Sequence, residues 1–263
     1  MLKYSLKTTY GFWLFFSAVF MGVAQAVMSG EFAYENIIQL LCQALYVEPG
    51  TDDASVIILM NLLPTFLLCI VTSNFFCNDV NIIYTYIFPR AGSTVKLYSF
   101  KTLSLFLLTL DFYTIFFLTV FILRSGKENV FSFESFGLVV QTVLPYILFG
   151  FCSAFFVNVF ALIFSGKISF LIYVCLVSLL TFICVQVKST FLTAVNPIYH
   201  LILTFHNLPQ SFYGYIDSPG FAQVSFKNVY SYVFFAIFSL VLYVTGAIVF
   251  NNKSLLLRKE KQP

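Results

Sequence analysis

Charge is what this sequence has least of. Asp, Glu, Lys and Arg together make up 10% of its 263 residues, against about 25% in a typical soluble domain. So few ionised groups cannot cover a water-facing surface, which excludes a soluble enzyme, a nucleic-acid-binding domain and a disordered tail. Histidine is nearly absent as well, with only His200 and His206. The six cysteines (Cys42, Cys69, Cys77, Cys152, Cys175, Cys184) show no CxxC spacing. Five of them lie in or beside apolar stretches and read as small packing residues, not as a disulfide framework or a metal site. No GxxxxGK[ST] phosphate loop and no HExxH occur anywhere, so the chain has no means of hydrolysing a nucleotide and no zinc-protease centre. An intramembrane serine protease is equally unsupported, for no Gly-x-Ser-Gly appears and no basic partner lies at membrane depth.

What is abundant is apolar surface. Hydrophobic residues are 60% and aromatic residues 20% of the chain, and the mean hydropathy is +0.91. The apolar residues fall in blocks of about twenty, the length of helix that crosses roughly 30 Å of hydrocarbon. Six such blocks run over residues 10–28, 54–76, 102–123, 136–164, 168–187 and 229–250. They are expected to be helical, because a helix satisfies its own backbone where no water is present. The first has the length of a full span with no clean cleavage signature after it, so it is expected to remain a membrane helix. Pro64 and Pro145 lie inside the second and fourth blocks and are expected to kink them, leaving carbonyls free for local partners.

Orientation follows from where the cations lie. With the N-terminus cytoplasmic, Lys3, Lys7, Arg90, Lys96, Lys101, Lys167, Lys253, Arg258, Lys259 and Lys261 are inside, ten of the fourteen Lys and Arg. Arg124, Lys127, Lys188 and Lys227 are outside. The positive-inside rule therefore puts both termini in the cytoplasm. The net charge of +3 carries less information than this placement.

The one substantial inner loop covers residues 77–101. Asn78 and Asp79 are good helix N-caps. Ile82, Ile83, Tyr86 and Ile87 then form one apolar stripe of a short helix that Pro89 terminates. Arg90, Lys96 and Lys101 follow. Two readings of this loop stand level on local physics: a docking surface, or an interfacial helix whose cations serve only topology. Outside, residues 188–228 form the longest connection. Its stretch from Asn196 to Phe205 has Ile198, Leu201, Ile202 and Phe205 on one face and is too short to span, so it is expected to be re-entrant or interfacial. The two histidines are assigned no role.

Here the sequence resembles the ABC-2-type permeases, membrane subunits of ATP-binding-cassette exporters. Ile87-Phe88-Pro89-Arg90 through Leu97-Tyr98-Ser99-Phe100-Lys101 is similar to the family's first inner loop, in which a short coupling helix precedes a proline, a basic run and a lysine that opens span three. Asn196-Pro197 resembles the Asn-Pro that follows span five. The amphipathic segment before span one is shorter here, at most Met1 to Thr9, and Asn78 and Asp79 stand where the family often has Glu. The resemblance implies an all-α, six-span polytopic protein that forms a single transmembrane domain over residues 1–263, with cytoplasmic termini, a cytoplasmic coupling helix and a re-entrant outer segment before the last helix. It further implies a bacterial cytoplasmic membrane, a separate cytoplasmic ABC ATPase dimer carrying ATP and Mg, and a second permease subunit, identical or related. Asp79, Ile82, Ile83, Tyr86, Ile87, Pro89, Arg90, Lys96 and Lys101 would then meet the ATPase. No cofactor, metal or catalytic residue is expected in this chain.

Three further features bear on mechanism. Ala18, Gly22 and Ala26 recur at four-residue spacing in span one and allow close helix approach. The resemblance implies that spans one and five form the dimer interface, which makes this stripe a candidate subunit contact; packing within the chain is the alternative. Asp111 is the one formal charge inside the spans. A carboxylate there costs roughly 2.5–3.5 kcal/mol on the insertion scale, so it is expected to face protein or a water-filled cavity, or to be protonated; it reads either as a polar point on a translocation path near Asn61 or Asn158, or as an internal hydrogen-bonding group that fixes helix register. The expected function is export of an amphipathic cargo (a peptide, an antimicrobial compound or a lipid), and the alternative is a non-transporting membrane immunity or peptide-binding protein.

Overall fold

The computed structural model describes residues 10–28, 54–77, 93–124, 133–186, 190–201 and 228–260. These form helices joined by turns, and no strand occurs among the described residues. The helices are α1 (Tyr10–Met28), α2 (Ala54–Asn61), α3 (Leu63–Thr72), α4 (Thr94–Arg124), α5 (Phe133–Ala161), α6 (Gly166–Gln186), α7 (Thr190–Val195) and α8 (Asn228–Glu260). Within α4, α5, α6 and α8 lie four segments long and apolar enough to cross a membrane, and α2 with α3 makes a fifth if the bent pair is one span. The chain is thus a multi-pass membrane protein whose described residues form helices and turns. The apolar helix α1 is shorter, with its apolar stretch at Gly11–Val27.

Each apolar block read from the sequence overlaps helix, with turns at 73–76 and 162–164, and two helices overrun their blocks by eight residues or more. α4 begins eight residues before the block at 102, and α8 continues ten residues past Phe250. Hydropathy marks where the chain meets hydrocarbon, whereas a helix continues until a breaker or an uncapped end stops it. No Pro or Gly interrupts residues 94–101 or 251–260.

The second block departs in a different way. α2 and α3 meet at Leu62 with a bend of 42°, and Pro64 lies in the first turn of α3. Proline has no N–H and suits a helix start, so the break falls where the sequence expects a kink. A carbonyl at the break, that of Asn61, accepts a hydrogen bond of 2.8 Å from the Tyr146 hydroxyl. Tyr146 directly follows Pro145 on α5. Deeper, Thr65 Oγ1 and the Tyr113 hydroxyl lie 2.7 Å apart and share a hydrogen bond.

Packing is organised around α5, which touches α3, α4, α6 and α8. Of its membrane window 67% is buried, compared with 28% for α6 and 22% for α8, which makes α5 the central helix. Lipid is as apolar as leucine, so close fit and hydrogen bonds, not expulsion of water, hold such a bundle together. Hydroxyls on the helices are mostly accommodated locally: Thr72, Thr109 and Thr119 donate to the carbonyls of Leu68, Leu105 and Ile115 at 2.8 to 2.9 Å.

The small-residue stripe of α1 is used inside the chain. Ala18 is fully buried and Ala26 nearly so, and a Cβ placed on Gly22 would lie 2.6 Å from Cβ of Thr119 on α4. Ala18 and Ala26 are thus buried within the chain, and Gly22 packs directly on α4. The opposite face of α1, with Phe12, Trp13, Phe16 and Phe20, is exposed. We predict that Gly22→Val destabilises the protein by about 1–3 kcal/mol, the usual cost of overpacking, read as a lower thermal midpoint in detergent.

Candidate functional site

A concentration of specific contacts lies at the described residues on either side of segment 78–92, Ser73–Cys77 and Thr94–Lys101. The expected interfacial helix and its residues Asp79, Ile82, Ile83, Tyr86, Ile87, Pro89 and Arg90 fall outside the described residues. Their two attachment points do not. α3 ends at Thr72 in a series of turns running to Cys77, and such turns leave carbonyls that a helix no longer satisfies.

Lys101 answers that need. It is 5% exposed, and its Nζ donates to the carbonyl of Phe75 at 3.1 Å and to that of Phe76 at 3.5 Å. The ammonium also lies 5.5 Å from the Phe75 ring centroid, close enough for a cation–π contact. A cation beyond the C-terminal end of a helix is favoured by the helix dipole. Lys101 is among the residues expected to meet an ATPase; its ammonium is turned inward, because the turn carbonyls are the acceptors that a desolvated lysine requires.

Asn158 of α5 completes the clamp. Its Oδ1 accepts from the Phe76 N–H at 3.1 Å, while its Nδ2 donates to the Ala154 carbonyl at 2.8 Å. It is fully buried, so both ends of the amide serve the fold and neither faces an open path. Nearby, the Cys77 thiol donates to the carbonyl of Ala161 at 3.1 Å.

Aromatic packing surrounds these bonds. The Phe76 ring meets Tyr98 at 5.5 Å and Phe155 at 6.0 Å between centroids, both edge to face, the geometry that aromatic quadrupoles favour. Tyr98 also packs on Phe250 of α8 and is pressed against Gly246, where a Cβ would strike its hydroxyl oxygen. That hydroxyl is buried with no hydrogen-bond partner among the described residues. Two polar links tie the overrunning ends together: Thr94 Oγ1 donates to Asn251 Oδ1 at 2.9 Å, and the Ser99 and Tyr243 hydroxyls lie 2.6 Å apart. Lys96 is exposed on the same stretch of α4.

The other expected path residues are not brought together with Asn158. Asn61 is half-buried at the α2–α3 break, and Asp111 is exposed on the outer side of α4. Asp111 therefore does not pack against the helices of its own chain. The physical reason lies in the helix period: the flanking residues Phe112 and Tyr113 are fully buried, which turns position 111 outward.

A second ordered cluster follows α6. Asn196 Nδ2 donates to the Leu180 carbonyl at 2.8 Å, and Tyr199 donates its hydroxyl to the Cys184 carbonyl at 2.8 Å. Residues 196–199 therefore lie alongside the last turns of α6. His200, which carries no role on sequence grounds, is buried against this turn. Its Nδ1 is 3.0 Å from the Ser231 hydroxyl and its Nε2 is 3.1 Å from the Ala194 carbonyl, and its ring stacks on Phe234 at 4.2 Å. Burial pushes the imidazole below its ordinary value of 6.5, favouring the neutral ring.

No group of three or more His, Cys, Asp or Glu side chains suited to a metal occurs among the described residues. Comparison with family models, with curated proteins and with solved structures finds no match to the chain.

Two tests follow from this geometry. Lys101→Met leaves the Phe75 and Phe76 carbonyls without their charged donor, and such bonds contribute about 1.5–3 kcal/mol; the thermal midpoint in detergent should fall by that measure, with Lys101→Arg losing less. For His200, the unfolded chain binds more protons than the folded one between the lowered value and 6.5. Stability is therefore full above pH 6.5 and declines as pH falls through that window. Unfolding measured from pH 8 to pH 5 should show this decline in the parent protein and a flatter profile in His200→Gln.

Proposed function

We propose that this chain is the membrane subunit of an ATP-driven exporter of the ABC-2 type, with six spans and both termini in the cytoplasm of a bacterium. The observation that carries the proposal is mechanical. The turns before residue 78 are held to α4 by Lys101 and to α5 by Asn158, and the start of α4 is held to α8 by Thr94 and Asn251. Force applied to the 78–92 segment would thus reach α3, α4, α5 and α8 together, instead of being lost in a slack connection. In this reading that segment is the coupling helix, and Lys96 and Arg90 border the contact.

The energy has to come from elsewhere. The sequence holds no nucleotide phosphate loop, so ATP and Mg would be bound by a cytoplasmic ATPase dimer, and closure of the two ATPases would drive the membrane subunits between inward- and outward-facing arrangements. The return of residues 196–199 along α6 is compatible with a re-entrant segment at the far side. An amphipathic cargo, such as a peptide, an antimicrobial compound or a lipid, suits walls so poor in charge.

Affinity purification from the native host in mild detergent tests the reading. An ATPase bearing a phosphate-binding loop should co-purify, and alanine at Ile83 and Ile87 together should reduce its recovery about tenfold, the effect of losing roughly 1.4 kcal/mol at an interface hot spot. If no ATPase accompanies the intact protein under any such condition, the exporter reading fails and the non-transporting membrane protein takes its place.

A further inference from the structure

Inside the bundle, polar side chains from four helices come together with no formal charge among them. Thr65 and Cys69 belong to α3, Tyr113 to α4, Ser153 to α5 and Tyr173 to α6, and each is at most 4% exposed. Thr65 Oγ1 and the Tyr113 hydroxyl are paired at 2.7 Å. The Tyr173 hydroxyl is buried and has no hydrogen-bond partner among the described residues. Cys69 and Ser153 are its polar neighbours, and Tyr113 lies within electrostatic reach.

The ring that carries this hydroxyl is fixed by packing. It meets Phe66 of α3 edge to face at 6.0 Å between centroids and lies 6.2 Å from Phe156 of α5. The hydroxyl therefore cannot turn to another acceptor without breaking both contacts. Gly150 of α5 lets the opposing tyrosine come close, since a Cβ there would lie 2.6 Å from the Tyr113 hydroxyl oxygen, and Ser153 is one turn further along the same face of α5. A phenol hydroxyl without a partner is costly in such a place. Buried polar groups that lack a protein partner are ordinarily met by an internal water making about three hydrogen bonds. The cluster has the chemistry for that ligand. Its hydroxyls and its thiol can each donate or accept, and none carries the charge that would select an ion.

We propose that this cluster is a binding site for one water molecule, which bridges the Tyr173 hydroxyl of α6 to Cys69 of α3 and Ser153 of α5. One end of α6 is tied by Asn196 and Tyr199, which donate to its Leu180 and Cys184 carbonyls; the water gives its middle a polar link to two further helices. The proposal goes beyond the exporter reading and does not rest on it, because the site is internal to one chain and serves a transporting and a non-transporting protein alike.

Two measurements on the intact protein in detergent test this. An X-ray pulse makes hydroxyl radicals from water wherever it is bound, and mass spectrometry reads which side chains they modify. With rates scaled to intrinsic reactivity, Tyr173 should be modified while Phe112, equally deep in the core on α4, is spared. The second measurement is the thermal midpoint of Tyr173→Phe. A bare hydroxyl makes that variant more stable than the parent, because an unsatisfied group has been removed. A hydroxyl that holds a water makes it less stable, with a fall of about 2–4 °C, the effect of losing one hydrogen bond in a chain of this size. A midpoint that stays or rises in Tyr173→Phe, or a Tyr173 as free of modification as Phe112, would each overturn the proposal.

Discussion

In hydrocarbon, a polar group that the chain leaves without a partner finds none from water, and the structure is arranged around that constraint. The helices meet it for their own backbone. Where a helix stops, other residues must meet it, and the two most specific constructions of the bundle occur at such places. At the α2–α3 break a tyrosine hydroxyl supplies the Asn61 carbonyl. Past the end of α3, an ammonium and an amide supply Phe75 and Phe76. Removing any of these partners exposes a bare peptide N–H or carbonyl to a medium that cannot solvate it, which is why these few contacts weigh more than the many apolar ones around them.

The same constraint links structure to the proposed activity. A segment that transmits force has to be attached stiffly at both ends, and the 78–92 segment is bounded by polar bonds that depend on exact placement and by rings packed at short distance. Gly246 against Tyr98 brings α8 close enough to share in the arrangement, at the cost of leaving the Tyr98 hydroxyl unsatisfied among the described residues. The cluster at Asn196, Tyr199 and His200 repeats the principle, with side chains reaching carbonyls in the last two turns of α6 and anchoring the turn to α8 through Ser231.

Much of this is legible in one dimension. Blocks of apolar residues mark the membrane helices because span length and freedom from charge are properties of consecutive residues. Pro64 announces the break for the same reason, since a missing N–H acts on its own helix. The placement of Asp111 in a span, the Ala18-Gly22-Ala26 spacing and the Asn196-Pro197 turn are also visible without coordinates. Lys101 was legible as a cation beside an apolar block, but its use as a buried donor was not, because the acceptors lie twenty-five and more residues earlier in the chain.

The sequence by itself determined that the chain is helical, apolar and built to lie in a membrane, for these follow from composition and from spacing along one strand of residues. Only the tertiary structure decided which side of each helix meets protein. It turned Gly22 of α1 toward Thr119, drew Lys101 and Asn158 inward onto the turns after α3, and left Asp111 outward beside Thr114. In hydrocarbon the two faces of a helix differ little in hydrophobicity, so facing is set by shape and by hydrogen-bond partners distant in sequence, and neither can be read from a residue's neighbours along the chain.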